Sequence, residues 1–312
     1  MDWTLLQSPR AFDIPAFLLG LLLGSFLNVC ISRLPEHKSI SKPRSHCPNC
    51  LATIRWYDNV PLLSWVLLRA RCRQCKQPIS WRYPAVELAL GLWFFFTVHN
   101  AYFAYIFQEG IISDLPGAAF HCVTLLILGF LLIGLIVMDW QTHTLPDDFT
   151  LTGTAIGFVL ICVQAVFLGP HEDELLLNGP NPLTSPGNVV DKGNVVLTGP
   201  EHLVLGRLLA IVAAAGIILL IRWAYKAIRH REGLGLGDAK LMAMMAAFLG
   251  FWPAVLAFFL GVVLCSGYAL GLIVRGKATA ATRLPLGSFL AIGGLISALV
   301  GAPLIAWYSS LL

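Results

Sequence analysis

Charged side chains are scarce. Asp, Glu, Lys and Arg make up 12% of the 312 residues, against about 25% in an average globular protein. So few charges cannot cover the surface of a water-soluble globule, and a mean hydropathy of +0.75 excludes a disordered chain as well. Cysteine is sparse: eight residues, neither dense enough nor placed for a disulfide scaffold. No Gly-rich nucleotide-binding signature is present, and no internal repeat is visible. Apolar residues, by contrast, make up 57% of the chain. The class that remains is a polytopic membrane protein, whose spanning helices each need about 20 mostly apolar residues.

Long apolar runs occur at about eight places: 12–33, 84–105, 117–138, 149–168, 203–225, 236–251, 253–274 and 285–309. The expected fold is an all-α polytopic membrane protein with about eight transmembrane helices. The third run is the clearest, with His121 its only strongly polar residue. The sixth is short and opens with Asp238 and Lys240. Trp252-Pro253, a helix breaker beside an interface-loving aromatic, separates the sixth from the seventh. The first run is read as a retained helix rather than a signal peptide. Only Arg10 precedes it, no small-x-small cleavage site follows, and it contains Asn28 and runs into Arg33.

Orientation follows from where the 21 Lys and Arg sit. Ten lie in 33–82, five in 222–240 and three in 275–283, all on one side of an eight-span arrangement. Only Arg10, Lys192 and Arg207 fall on the other. Positive loops stay in the cytoplasm, so the 33–82 loop is cytosolic and both termini are outside. The outer stretch 169–202, rich in Pro, Gly and Asn, reads as a flexible insert.

The first cytosolic loop carries Cys47-Pro48-Asn49-Cys50 and Cys72-Arg73-Gln74-Cys75, two C-x2-C pairs separated by 21 residues. Each pair puts two thiolates on one ion, and two pairs complete a tetrahedral site. A cytosolic loop disfavours the alternative of disulfides. Four Cys ligands leave no position open to water, so the expected zinc is structural. It gives a loop too small for a good core a reason to fold. Cys30, Cys122, Cys162 and Cys265 lie in apolar runs and read as packing residues.

Two carboxylates stand at membrane boundaries. Asp139 follows the third run, and Asp238 opens the sixth within Gly235-Leu236-Gly237-Asp238. A lone boundary Asp is ordinarily solvated or paired. These two end on one face of the bilayer, 99 positions apart, and can meet. Two carboxylates in one desolvated site cannot both ionise easily, so one keeps a proton. The ionised one takes a proton from water while the other donates to a carbonyl oxygen, which is peptide hydrolysis by an aspartic dyad. Gly233, Gly235 and Gly237 let backbone approach the carboxylate. Asp147, after Leu145-Pro146, reads as a helix N-cap or a third acid.

These segments together resemble the type 4 prepilin peptidases, a family of prepilin leader peptidase/N-methyltransferases with a GxGD-type aspartic protease site. The likeness runs from Gly24-Ser25-Phe26-Leu27-Asn28-Val29 and Arg33-Leu34-Pro35 through the cysteine pairs. It continues through Asn59-Val60-Pro61-Leu62-Leu63-Ser64-Trp65 and Arg82-Tyr83-Pro84-Ala85-Val86-Glu87. It resumes at Asp139, at Leu145-Pro146-Asp147 and at Glu232-Gly233-Leu234-Gly235-Leu236-Gly237-Asp238-Ala239-Lys240. Pro285-Leu286-Gly287-Ser288-Phe289-Leu290-Ala291 is similar to a late family motif, with Ser288 where Pro is expected.

The resemblance implies a multi-pass enzyme of the bacterial cytoplasmic (inner) membrane, serving type IV pilus and type II secretion systems. Its zinc loop and active site face the cytosol. It cleaves the basic leader of prepilins and pseudopilins after a Gly, then methylates the new N-terminal amine with S-adenosylmethionine. Asp139 and Asp238 are the implied catalytic pair, with Asp147, Gly235, Gly237, Lys240 and Glu87 in support and Cys47, Cys50, Cys72 and Cys75 on the metal. Its partners are those substrates and the lipid bilayer, with no nucleic acid. Glu87 has two readings: it holds the substrate amine or the donor's sulfonium, or it pairs with Arg82. The implied organisation is residues 1–105, with the zinc loop at 34–83, as the methyltransferase part. Residues 106–312 form a six-span peptidase. The competing readings are a peptidase without methyltransferase activity, a non-catalytic assembly protein, and a proton-coupled transporter using the two Asp. The last explains neither the cysteine loop nor the lack of paired broken segments.

Overall fold

The computed structural model describes residues 10–36, 38–42, 44–107, 115–167, 200–229, 235–276 and 284–309. Residues 169–199 of the expected insert, and Gly233, lie outside the described residues. Each of the eight apolar runs forms a helix. These are α1 (Arg10–Arg33), α2 (Arg82–Phe107), α3 (Leu115–Thr142), α4 (Asp147–Phe167), α5 (Pro200–Arg229), α6 (Leu236–Leu249), α7 (Phe251–Val274) and α8 (Leu286–Ser309). Among the described residues there is no strand, only two isolated β-bridges in the cysteine loop. Length and apolar composition alone qualify α1, α3, α4, α5 and α7 as membrane spans.

The chain divides into two compact units, Met1–Gly134 and Leu135–Leu312. In the first, α1 packs along α2 at backbone distance, which small residues permit. A Cβ on Gly24 would stand 2.6 Å from the Glu87 Cα, and one on Gly20 would stand 2.7 Å from the Leu90 carbonyl oxygen. Trp93 of α2 is buried and donates its indole N–H to the Leu125 carbonyl at 2.9 Å. Gly129 clears space for that ring, since a Cβ there would lie 1.9 Å from the indole nitrogen. At the opposite end of α1 from the cysteine loop, buried Asp13 meets His99 at 2.9 Å.

In the second unit the short helix α6 is wrapped by α4, α5, α7 and α8. Its fourteen residues reach only about 21 Å at 1.5 Å per residue, against a hydrocarbon core of about 30 Å. Leu241, Met242, Met244, Met245 and Ala246 are buried, so the helix meets protein around most of its circumference. Gly157 of α4 receives Phe248 and Ala247, while Gly261 and Gly293 bring α7 and α8 to backbone contact. The break between α6 and α7 falls at Gly250, with φ +89°, rather than at Trp252-Pro253. Pro253 sits in the first turn of α7, where a missing N–H costs no helix bond. Arg207 Nη1 reaches the Ala246 carbonyl at 3.4 Å, supplying a cation to the C-terminal end of α6.

Gly24→Ala is expected to lower the thermal unfolding midpoint in detergent, because a backbone atom must give way; overpacking of this kind costs roughly 1–3 kcal/mol. Gly267→Ala, with nothing within 4 Å of the new methyl, is expected not to lower it. Equal midpoints for the two variants would remove the close α1–α2 approach as a stability determinant.

Candidate active site

Asp139, which directly follows the third apolar run, lies in the last turn of α3, which extends to Thr142, and is 5% exposed. The helix ends just beyond it. Thr142 Oγ1 bonds back to the Met138 carbonyl at 2.8 Å, and His143 takes φ +50°. Leu145-Pro146 then carries the chain into α4. Leu145 lies over two glycines: a Cβ on Gly237 would stand 3.2 Å from it, and one on Gly287 2.9 Å. The Gly287 Cβ would also stand 3.1 Å from Asp139 Oδ2. Glycine at 287 therefore lets the first turn of α8 pass the carboxylate without displacing it.

Asp139 Oδ2 accepts the backbone N–H of Ser288 at 2.6 Å and lies 2.9 Å from the Ser288 hydroxyl. Ser288 is completely buried in the first turn of α8. Asp238 is the third residue of α6 and is buried as well. Its Oδ2 accepts the Gly235 N–H at 3.1 Å, the carboxylate half of a capping box. The two carboxylates lie within electrostatic reach of each other, and both lie within reach of Cys265. The structure brings Asp139 and Asp238, expected from the sequence to meet, into one region of the second unit.

Asp147 is the first residue of α4. Its carboxylate, expected to cap that helix, instead takes the Lys240 ammonium at 2.6 Å. Both side chains are partly exposed. The bridge ties α4 to α6 two residues beyond Asp238. Ser288 and Gly287 are the residues whose part the sequence did not reveal. The available signal was a small polar residue in the first turn of an otherwise apolar helix.

In the first unit, Cys47, Cys50, Cys72 and Cys75 place their sulfur atoms within 4.8 Å of one another. The Cys47 and Cys75 sulfurs are 3.8 Å apart, the edge of a tetrahedron with Zn–S of about 2.3 Å. The two turns holding them are near copies. Leu51 N–H bonds the Cys47 carbonyl at 2.9 Å, and Lys76 N–H bonds that of Cys72 at 3.1 Å. Leu51 and Lys76 both take φ 58°. Cys47 N–H reaches the Ala52 carbonyl and Cys72 N–H that of Gln77, each at 2.9 Å. Backbone N–H groups of Cys75 and then Gln74, aimed at the Cys72 sulfur, pull that thiol down, while at Cys75 the lowering by the Gln77 N–H is outweighed by burial and the neighbouring sulfurs, which push it up. The donor set fits a four-coordinate Zn²⁺.

Asp58 and Arg73 form a two-pronged pair across this loop, with Nη2–Oδ1 at 2.6 Å and Nε–Oδ2 at 2.8 Å. That guanidinium holds the Asp58 carboxyl below its usual range. Glu87, whose sequence readings were a ligand contact or a pair with Arg82, accepts the Leu62 N–H at 2.8 Å. It therefore ties the middle of the loop to the second turn of α2.

A family profile described as the bacterial peptidase A24 N-terminal domain matches residues 18–101. A second, described as the type IV leader peptidase family, matches 193–270, which includes Asp238. A protein from Aeromonas hydrophila named prepilin leader peptidase/N-methyltransferase is 31% identical over 94% of this chain and 92% of its own. One of the same name from Stutzerimonas stutzeri is 30% identical over 97% and 96%. A third, from Myxococcus xanthus, is 36% identical over 78% of this chain, which spans 58% of that longer protein. This chain belongs to the type IV leader peptidase family. No solved structure matches it.

Metal analysis of the purified protein is expected to return about one zinc per chain. Cys47→Ser and Cys72→Ser are each expected to lose it, with the loop becoming sensitive to protease. Absence of zinc from protein prepared without chelators would remove the assignment.

Proposed function

We propose that the protein is a membrane aspartic endopeptidase that removes the basic leader of prepilins and pseudopilins after a Gly, with Asp139 and Asp238 as its catalytic pair. The observation that carries this reading is the placement of two buried carboxylates in one unit, each hydrogen-bonded at a helix N-terminus. One carboxylate is ionised and takes a proton from water as the water oxygen bonds the scissile carbonyl carbon. The other gives its proton to the carbonyl oxygen. Collapse of the resulting diol breaks the C–N bond, and a proton passes to the leaving amine. The products are the leader, now ending in a carboxyl group, and the mature chain with a new N-terminal amine, and the protons balance across the pair.

The same protein N-methylates that amine. The methyl donor is S-adenosylmethionine, whose sulfonium supplies an electrophilic methyl group. The N-terminal part, residues 1–105, is the region that performs this step, with residues 106–312 as the peptidase. Zinc on Cys47, Cys50, Cys72 and Cys75 is structural: all four ligands are Cys, and the two turns give the loop its shape. Glu87 anchors that loop to α2. Asp147 and Lys240 hold α4 against α6 beside Asp238, and Gly237 admits Leu145. The enzyme lies in the bacterial inner membrane with its zinc loop and dyad facing the cytosol, a reading supported by the 18 Lys and Arg that fall on that side. A basic leader held at that surface gains roughly 1 kcal/mol per Lys or Arg from anionic lipid.

Asp139→Asn and Asp238→Asn are each expected to insert normally and to lose cleavage of a prepilin peptide by at least about 10²–10⁴, followed by mass spectrometry. Near wild-type cleavage by either variant would overturn the dyad. Methylation must follow cleavage, because the amine does not exist before it. Asp238→Asn should therefore fail to methylate full-length prepilin yet still methylate a pre-cut peptide supplied with labelled S-adenosylmethionine. Failure on the pre-cut peptide would show that the two activities share Asp238.

A further inference from the structure

The two carboxylates are not equally furnished with donors. Asp139 Oδ2 receives the Ser288 N–H at 2.6 Å and has the Ser288 hydroxyl at 2.9 Å. Among the described residues, the corresponding bond to Asp238 is one backbone N–H, that of Gly235 at 3.1 Å. Ser288 is the third residue of α8, so its N–H is one of the four first-turn donors with no partner inside the helix. The positive end of the helix dipole adds to the same effect. Donors that bond the charged form of a carboxylate favour that form.

The hydroxyl has a second acceptor, the Ile136 carbonyl at 3.0 Å. With Asp139 ionised, the single hydroxyl proton points to Oδ2. With Asp139 protonated, the hydroxyl turns its proton to Ile136 and accepts from the acid instead. A side chain of this kind serves both states that a general base passes through. Proline, which the family resemblance leads one to expect here, has neither the N–H nor the hydroxyl. Both donors exist because this chain departs from that pattern.

We propose that Ser288 is a positioning residue that keeps Asp139 the ionised member of the pair, so that Asp139 takes the proton from water and Asp238 gives its proton to the carbonyl oxygen. This rests on the peptidase reading above. Among the described residues, the ionisable groups placed near Asp139 are Asp238 on α6 and Cys265 on α7, both within electrostatic reach, and His143, whose backbone N–H bonds the Asp139 carbonyl. Lys240 is engaged with Asp147 at 2.6 Å. Of the described groups, Asp238, which shares the proton, and Ser288, which supplies two donors, bear on Asp139 most directly.

The test is a pH–rate profile of full-length protein in detergent on a prepilin peptide, comparing wild type with Ser288→Ala, Ser288→Thr and Ser288→Pro. Ser288→Ala keeps the N–H and loses the hydroxyl. Its acidic limb should move to higher pH by about one unit, a tenfold rate loss below the limb, with kcat affected and KM unchanged. Ser288→Thr keeps both donors and should hold the wild-type limb. Ser288→Pro removes both and should move it further than Ala does. Where Ser288→Pro fails to fold, Ala against Thr decides alone. A side chain that only packs would lower the rate equally at every pH. A uniform loss, or no change, in Ser288→Ala therefore overturns the proposal. Cleavage by Asp139→Asn, or none by wild type, would instead overturn the peptidase reading itself.

Discussion

The second unit is organised around the difficulty of holding the Asp139 carboxylate inside apolar protein. Without donors, a buried carboxylate is too costly to stay charged. The donors come from the start of α8, 149 residues along the chain. Their position depends on how α8 is seated. Gly261 and Gly293 let α7 and α8 meet at the backbone, since a Cβ on Gly293 would lie 2.2 Å from the Ala257 carbonyl oxygen. Gly287 then lets the first turn of α8 pass the carboxylate itself. Small residues far from any chemistry thereby set a hydrogen bond of 2.6 Å.

The first unit rests on a different device. Its cysteine loop has few buried apolar residues, and exposed Trp56, Leu67 and Trp81 show how little core it makes. Order comes from two turns of matching geometry converging on four sulfurs, from the Asp58–Arg73 pair, and from the grip of Glu87 on Leu62. A metal supplies such a loop with the cohesion that its size denies it. The membrane helices below need no such help, because α1 and α2 interlock through Gly20, Gly24 and Gly91.

The sequence revealed the eight helices because apolar runs of that length have few other uses in a chain this poor in charge. The cysteine cluster was legible for a similar reason: the C-x2-C spacing constrains the backbone tightly. The aspartates stood out as charges bordering apolar runs. What stayed hidden depended on contacts between distant segments. Nothing near Ser288 announces that its partner is residue 139. Asp147 carries the local signature of a cap, and only the approach of α6 reveals Lys240 as its partner. The helix break at 250 was read one turn late, because Pro253 is a louder local signal than a glycine with positive φ.

The shortness of α6 bears on how such a protein is made. A fourteen-residue helix with Asp238 and Lys240 in its first turns is too short and too polar at one end to settle in a bilayer by itself. Its lodging is built by α4, α5, α7 and α8, two of which are synthesised after it. During biogenesis α6 finds α4 and α5, against which it packs most extensively, already made, and gains the rest of its cover as α7 and α8 follow. The Ser288 donors to Asp139 arrive only with the last helix. The buried carboxylate thus gets its hydrogen-bond partners as the final step of the chain's own synthesis.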